Sequence, residues 1–444
     1  MSTENSAALL AAIREMGVVG AGGAGFPTHL KLAASCDTVI ANGVECEPLL
    51  YGDRHLLGTE TEAVIGGLEL AMRAAGAQRG ILAVKKKEAG LLEKAVAGKE
   101  GLRVVQVEDF YPAGDEQVLV YETTGRIVPP GCLPLSVGVV VQNVQTLRNV
   151  FQSVRQRRPV IRRLLSCAGE VVRPSIVEAH LGASLRHVIE LCGGATVEEP
   201  ALLVGGPMMG FVTTDLDTPV TKLTGGIVVL AREHALVQRR TRRLEVILRQ
   251  GRAACCQCSY CTELCPRYLL GQELNPHRIM RQVALGLDLP SSVIRNALLC
   301  SECGLCEDYA CAMELSPRRV NAALKQRLAQ GGLVPAASPG GGGAREAREA
   351  RKVPAARLLD RLQLQRYARP LGREVLRTQP QRVELLLQQH SGQAALPVVR
   401  EGERVLEGQL IAEAPSVQAG ARLHASIGGK VIVSDAERII LCGT

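Results

Sequence analysis

Nine of the fifteen cysteines of this 444-residue chain lie between Cys255 and Cys311, whereas Cys36, Cys46, Cys132, Cys167, Cys192 and Cys442 are scattered singly. The crowding constrains that segment more than any periodicity does, because whatever it folds into must bring thiols together. In CCQCSYCTELCP, Cys255, Cys258, Cys261 and Cys265 follow C-x2-C-x2-C-x3-C-P, with Pro266 closing the run. In CSECGLCEDYAC, Cys300, Cys303, Cys306 and Cys311 follow C-x2-C-x2-C-x4-C, with Ala312 where proline is usual.

Three thiolates on one tight loop reach three iron corners of a [4Fe–4S] cubane, and in two-cluster ferredoxins the fourth ligand is exchanged between the runs. The expected ligand sets are therefore Cys255, Cys258, Cys261 and Cys311 for one cluster, and Cys300, Cys303, Cys306 and Cys265 for the other. Cys256 is spare. Structural zinc sites normally use cysteine pairs rather than triples, which makes zinc the weaker reading. The scattered cysteines read as small core residues.

A chain this long exceeds one compact core and calls for about two to four domains. No apolar run of 18 or more residues and no signal-peptide pattern appears, so the expectation is a cytoplasmic protein with no transmembrane segment. Fifteen cysteines then point to metal or redox chemistry rather than disulfides. The net charge of +8 is densest in RQRRPVIRR (155–163) and RRTRRLEVILRQGR (239–252). With no Trp, four Phe and seven Tyr, stacking platforms for nucleic acid are scarce, so no nucleic-acid partner is expected. Both runs read as solvated helix faces, or as a docking patch for an acidic protein or anionic cofactor.

Along the chain, Leu9, Leu10, Ile13 and Met16 give residues 4–16 an amphipathic helical stripe ending at Gly17. That helix reads as the first of the opening domain, and a second reading has it double as a short address for a microcompartment interior. Residues 1–155 alternate short apolar stretches such as DTVIANGV with helical ones, the rhythm of an α/β domain. Residues 156–227 form a strand-rich module and 228–333 a helical one carrying the cysteines. Residues 334–352 read as a flexible, charged linker, 353–393 as helical, and 394–444 as all-β. The fold class is thus multidomain, α/β and α+β.

A second motif is GVVGAGGAGFPTHLKL (17–32), whose glycines let a backbone approach a phosphate and present N–H donors to it. It is neither a Walker loop nor a clean Rossmann fingerprint. Three more segments, ANGVECEPLLYGDRHLL (41–57), YPAGDEQVLVYETTGRIVPPG (111–131) and GVVVQNVQTLRNV (138–150), suggest one composite site. Together the four resemble the FMN-binding domain shared by the NADH-oxidising flavoprotein subunit of respiratory complex I and the C subunit of the Rnf electron-transport complex. With VGGPMMG (204–210) and the cysteine runs, the resemblance to the Rnf type covers most of the chain. The barrel-like module comes last here, in VVREGERVLEGQLIAEAP and HASIGGKV, an order that resembles the propanediol-utilisation cobalamin reductases of bacterial microcompartments.

The resemblance implies a flavin site by matched position. Gly20, Gly22 and Gly23 would face the FMN phosphate with Lys31 nearby; Asn42, Glu45 and Cys46 would line the ring side. Tyr111, Gly114 and Glu116 would contact the isoalloxazine, and Gln142, Asn143 and Thr146 would close on the phosphate or ribityl. Ala21 and Val44 replace an arginine and an acidic residue of the complex I pattern. NADH is implied as donor, with Phe26 and Glu47 as candidate contacts, although other stacking positions read Ala34 and VPPGCLP. Residues 156–227 resemble the family's β-grasp ligand-binding module. The C-terminal module resembles half of a lipoyl-type barrel, with Lys430 placed in a Gly-Gly turn rather than on a swinging arm.

In function, the resemblance implies an oxidoreductase that passes electrons from NADH through FMN and two [4Fe–4S] clusters to cobalamin, serving B12-dependent diol metabolism. Its implied partners are NADH and a corrinoid, with an adenosyltransferase and microcompartment shell proteins. The alternative is an Rnf-type relay between NADH and a ferredoxin or protein partner. A binding scaffold with structural cysteines is the third class. No catalytic acid or base and no cobalamin-binding motif stand out.

Overall fold

The computed structural model describes residues 5–286, 292–335, 342–369, 371–372, 374–415 and 419–443. Short apolar, β-branched stretches form the strands Thr38–Asn42, Arg79–Lys85, Leu102–Val107 and Val139–Asn143. They make a parallel sheet in which Thr38–Asn42 lies between Arg79–Lys85 and Val139–Asn143. The chain leaves Thr38–Asn42 in one direction and returns on its other side. The carboxyl ends of Thr38–Asn42 and Val139–Asn143 therefore flank a topological switch point, where α/β sheets bind ligands. Their register sets Asn42 opposite Asn143.

Helices Thr61–Ala75 and Val144–Gln156 pack closely on this sheet. A Cβ on Gly67 would stand 2.0 Å from the carbonyl oxygen of Leu147, so only glycine permits that approach. The first helix runs Ser6–Glu15, with Asn5 accepting the amide of Ala7 as its N-cap. Leu9 and Ile13 are buried in the same core as Leu68 and Leu147. The apolar stripe thus packs as the opening helix of the first domain.

A six-stranded mixed sheet follows, in the order Val375–Arg377, Ser175–His180, Arg162–Gly169, Gly226–Ala231, Pro200–Val204, Phe211–Thr213. The expected boundary at 227 falls inside a strand. Ile227, Val228, Val229 and Leu230 are all fully buried, so the module extends to Ala231. Helices Leu244–Ala254, Pro276–Ala284 and Pro317–Gln330 frame the cysteine loops.

The expected flexible linker is ordered over its second half, while its residues 336–341 lie outside the described residues. Glu346–Arg351 is a 3-10 turn and Val353–Pro354 pairs with Phe110–Tyr111. Arg348 is buried, bonded to Glu122 and stacked over Tyr121. Opposite charges on the flavin domain hold a composition that would otherwise stay loose. The expected 353–393 helix also shortens to Ala355–Arg361 and a turn at Gln365–Tyr367. Val375–Arg377 then joins the six-stranded sheet, and Arg382–Leu386 pairs with Arg438–Cys442 because Val383 and Leu385 alternate into the core.

The C-terminal module thus starts before 394 and stacks two small sheets. Lys430 lies in the strand Gly429–Ser434 opposite Arg404, not in a turn. This module also reaches the glycine loop: Ser391 donates its amide and hydroxyl to the carbonyl of Ala24, at 3.1 and 2.6 Å. The basic runs depart from a solvated face as well, since Arg163, Arg239 and Arg240 are buried. Among the described residues no helix is long and apolar enough to cross a membrane.

Candidate flavin and iron–sulfur sites

Asn143 ends one strand and caps the helix after it, its Oδ1 accepting the amide of Gln145 at 2.8 Å. Helix starts leave N–H groups pointing outward, and this one faces the glycine loop. A Cβ on Gly22 would stand 3.1 Å from the Asn143 carboxamide, whereas one on Gly23 would meet open space. The amide of Ala21 donates to Thr146 Oγ1 at 2.8 Å, and the amide of Gly20 to the carbonyl of Phe26 at 2.9 Å. Phe26 itself is 44% exposed. Gln142 is buried and its Nε2 has no partner.

Across the switch point, Asn42 Nδ2 donates to the carbonyl of Gly114 at 2.9 Å, and a Cβ on Gly114 would touch Cys46 Sγ at 3.1 Å. Lys31 and Glu116 form an ion pair at 2.6 Å. Glu45 accepts the amides of Asp53 and Arg54, both at 3.2 Å, at the start of helix Gly52–Thr59. Burial, reinforced by the charge of Asp53, pushes Glu45 up to about 8, and burial pushes the Cys46 thiol up to about 12.

Two expected flavin or NADH contacts have other partners. Tyr111 donates its hydroxyl to the carbonyl of Cys303 at 2.6 Å, fully buried. Glu47 accepts the amides of Met208 and Met209, and burial pushes it up to about 7. The VGGPMMG loop also touches the cysteine domain, because Arg240 and Arg318 donate to the carbonyl of Met208 at 2.7 and 2.9 Å. Arg240 pairs with Asp308 and Arg318 with Glu307.

The cysteines gather around two cavities. One is lined by Cys265, Cys300, Cys303 and Cys306, with Arg318 and Asn321. The other is lined by Cys255, Cys258, Cys261 and Cys311, with Cys256 and His277. Each run's fourth cysteine lies in the other run's cavity. Among the described residues no three His, Cys, Asp or Glu could grip a single metal ion; the sulfurs surround volumes instead. Burial pushes the thiols of Cys261 and Cys265 up to about 12, so the bare chain keeps them protonated and a thiolate-binding cluster must displace those protons.

Family models match in chain order: the Nuo51 FMN-binding domain over residues 13–152, the SLBB domain over 167–212, the 4Fe-4S dicluster domain over 254–316 and the RnfC barrel sandwich hybrid domain over 374–439. The cobalamin reductase PduS of Citrobacter freundii is 43% identical over 430 residues, covering 94% of this chain and 93% of that protein. The chain belongs to the PduS cobalamin reductase family. The PduS protein of Salmonella typhimurium is likewise 43% identical, over 94% of this chain and 93% of its own length. The C subunit of the Na(+)-translocating ferredoxin:NAD(+) oxidoreductase complex of Acetobacterium woodii is 38% identical over 58% of this chain and 57% of its own. An NAD+-reducing [NiFe]-hydrogenase shares the fold at a TM-score of 0.50 and 22% identity, covering 73% of this chain and 63% of that one.

Some residues of this PduS-family site were not legible in the sequence. Asp53 stands in a quoted segment, and its Oδ2 accepts from Asn143 Nδ2 at 2.6 Å, but nothing in the segment singles it out. Arg163 sits in a basic run, and only the in-out alternation of a strand could have marked it as inward. Asp115 and Arg267 form a two-bonded, largely buried pair at 2.6 and 2.9 Å that ties the flavin domain to the cysteine domain.

Proposed function

We propose that the chain is a cobalamin reductase that takes electrons from NADH and delivers them to a corrinoid through bound FMN and two [4Fe–4S] clusters. The observation that carries this reading is the pair of crosswise cysteine-lined cavities, set against an α/β domain whose switch point has the donors a flavin phosphate needs. FMN, when bound, converts a hydride pair into single electrons, and cubanes carry one electron each.

In this function, Gly20, Gly22, Gly23 and the helix start at Val144 receive the phosphate, and Lys31 stands nearby with Glu116. Gln142, Asn143 and Thr146 close the site from the strand end. Asn42, Glu45, Cys46 and Gly114 line the ring side, where Glu45, raised to about 8, can hold a proton at neutral pH. Exposed Phe26 offers a face to the nicotinamide dinucleotide. Glu47 contributes through the VGGPMMG loop rather than by direct contact. Cys265, Cys300, Cys303 and Cys306 hold the cluster on the Tyr111 side, and Cys255, Cys258, Cys261 and Cys311 hold the other.

Similarity to PduS proteins runs through 94% of the chain, against 58% for the Rnf-type protein of Acetobacterium woodii, which favours the reductase over the relay. We assign the protein to a bacterial microcompartment, with an adenosyltransferase and shell proteins as partners. Anaerobic stopped-flow with separate flavin, cluster and corrin wavelengths tests the function. NADH should reduce flavin, then clusters, then cob(III)alamin. Cys300→Ser with Cys303→Ser should retain part of the cob(III)alamin reduction and lose cob(I)alamin formation. Reduction by a ferredoxin but not by NADH would move the protein to the relay class.

A further inference from the structure

Strand Arg162–Gly169 of the six-stranded sheet sends successive side chains to opposite faces. Arg162 points outward to Glu407. Arg163 points inward, is 6% exposed, and reaches the glycine-rich loop of the neighbouring domain. Its Nε donates to the carbonyl of Thr224 at 3.0 Å and its Nη2 to the carbonyl of Ala21 at 2.9 Å. Its Nη1 is buried with no hydrogen-bond partner. Burial of a guanidinium is unfavourable unless an anion meets it.

The nearby acids do not supply that anion. Asp53 and Glu45 act on Arg163 by charge, but Asp53 bonds the Asn143 carboxamide and Glu45 bonds the amides of Asp53 and Arg54. Arg163 reaches the glycine loop at Ala21, whose own amide donates to Thr146 at the start of helix Val144–Gln156. A glycine loop and a helix start both present main-chain N–H groups to an anion. Resting on the flavin reading above, we propose that Arg163, contributed by the β-grasp module, is the cation that meets the phosphomonoester of FMN and makes the site select FMN over riboflavin. A guanidinium suits a phosphate because it offers several N–H groups in a fixed fork. The bond to Ala21 holds the loop in place for it.

The test titrates FMN and riboflavin, by quenching of flavin fluorescence, into deflavinated protein that retains its clusters. Wild type, Arg163→Gln and Arg163→Lys are compared, with iron content as the check on folding. Arg163→Gln should weaken FMN by about tenfold or more while riboflavin stays within about threefold, and Arg163→Lys should keep most of the preference. Inorganic phosphate should compete with FMN in wild type and less in Arg163→Gln. Equal weakening of both flavins would reduce Arg163 to a latch on Ala21 and overturn the proposal, as would an unchanged FMN preference. If Arg163→Gln loses its iron, the ratio in Arg163→Lys and the phosphate competition in wild type decide. Wild type that binds neither flavin would overturn the flavin reading itself, a result distinct from lost selectivity in the variant alone.

Discussion

The hydroxyl of Tyr111, on the flavin domain, donates to the main-chain carbonyl of Cys303, in the second cysteine run, across 2.6 Å of fully buried space. Tyr111 also sits on the strand Phe110–Tyr111 that pairs with Val353–Pro354, so three separate chain segments meet at one residue. The bond fixes the loop of one cluster cavity against the flavin domain. Tyr111→Phe leaves that carbonyl without its donor, at a cost of roughly 1–3 kcal/mol. The expected outcome is retained FMN and iron, a lower unfolding midpoint, and flavin-to-cluster electron transfer slowed several-fold in stopped-flow.

The crosswise lining of the two cavities, with Cys265 beside the second run and Cys311 beside the first, makes the proposed ligand exchange testable. Cys265→Ser should abolish the cluster of Cys300, Cys303 and Cys306, and Cys311→Ser the cluster of Cys255, Cys258 and Cys261. Spin resonance of the reduced proteins, combined with iron counts, distinguishes them: wild type should contain about eight irons in two interacting clusters. If Cys265→Ser instead removes the cluster of its own run, the crosswise assignment is wrong.

Arg318 lines the cavity of Cys265, Cys300, Cys303 and Cys306, and no basic side chain of that kind lines the other apart from His277. A positive charge beside a cluster favours its reduced, more negative state. Arg318→Gln should therefore lower that cluster's reduction potential by on the order of tens of millivolts and leave the other cluster unchanged. A redox titration monitored by spin resonance reads both values. A shift shared equally by the two clusters would point to a general rearrangement.

Lys222 is buried where three modules meet, its Nζ donating to the carbonyls of Gly17 and Arg422, both at 2.8 Å. Burial brings it from 10.5 down to about 7. Between those values the folded chain binds fewer protons than the unfolded one, so this contribution to stability rises with pH from 7 and is absent below it. His390 and His424 are lowered from 6.5 to about 4 and about 3, by burial first and then by the charge of Lys222. Their contribution is present above pH 6.5 and lost as the pH falls towards 4 and 3. Glu45 and Glu47, raised from 4.5 to about 8 and about 7, act the opposite way and lose stability as the pH rises through that range. The Lys222 part is therefore read by difference: between pH 8 and 10 Lys222→Met should flatten the rise of apparent melting temperature seen in wild type by on the order of a few degrees.

The sequence alone determined the chemistry that depends on short spacing. Three cysteines on one loop, a glycine-rich turn beside a helix and an apolar α/β rhythm are local features, and each was readable because its geometry is set within a few residues. The positions 255–265 and 300–311 needed only the ferredoxin spacing to be named. Tertiary structure decided what meets across long separations. That Tyr111 serves Cys303, that Glu47 is held by Met208 and Met209, and that Arg163 enters a domain it does not belong to are separations of 192, about 161 and 142 residues. Composition also misled where a partner changes a segment's fate: the charged stretch 346–352 is fixed only because Glu122 and Glu108 wait on another domain. The stretch at 382–386 is a strand only because Arg438–Cys442 comes back to pair with it. A sequence specifies its local turns and periods directly, but a charged or short apolar segment takes its structure from whatever the rest of the fold sets against it.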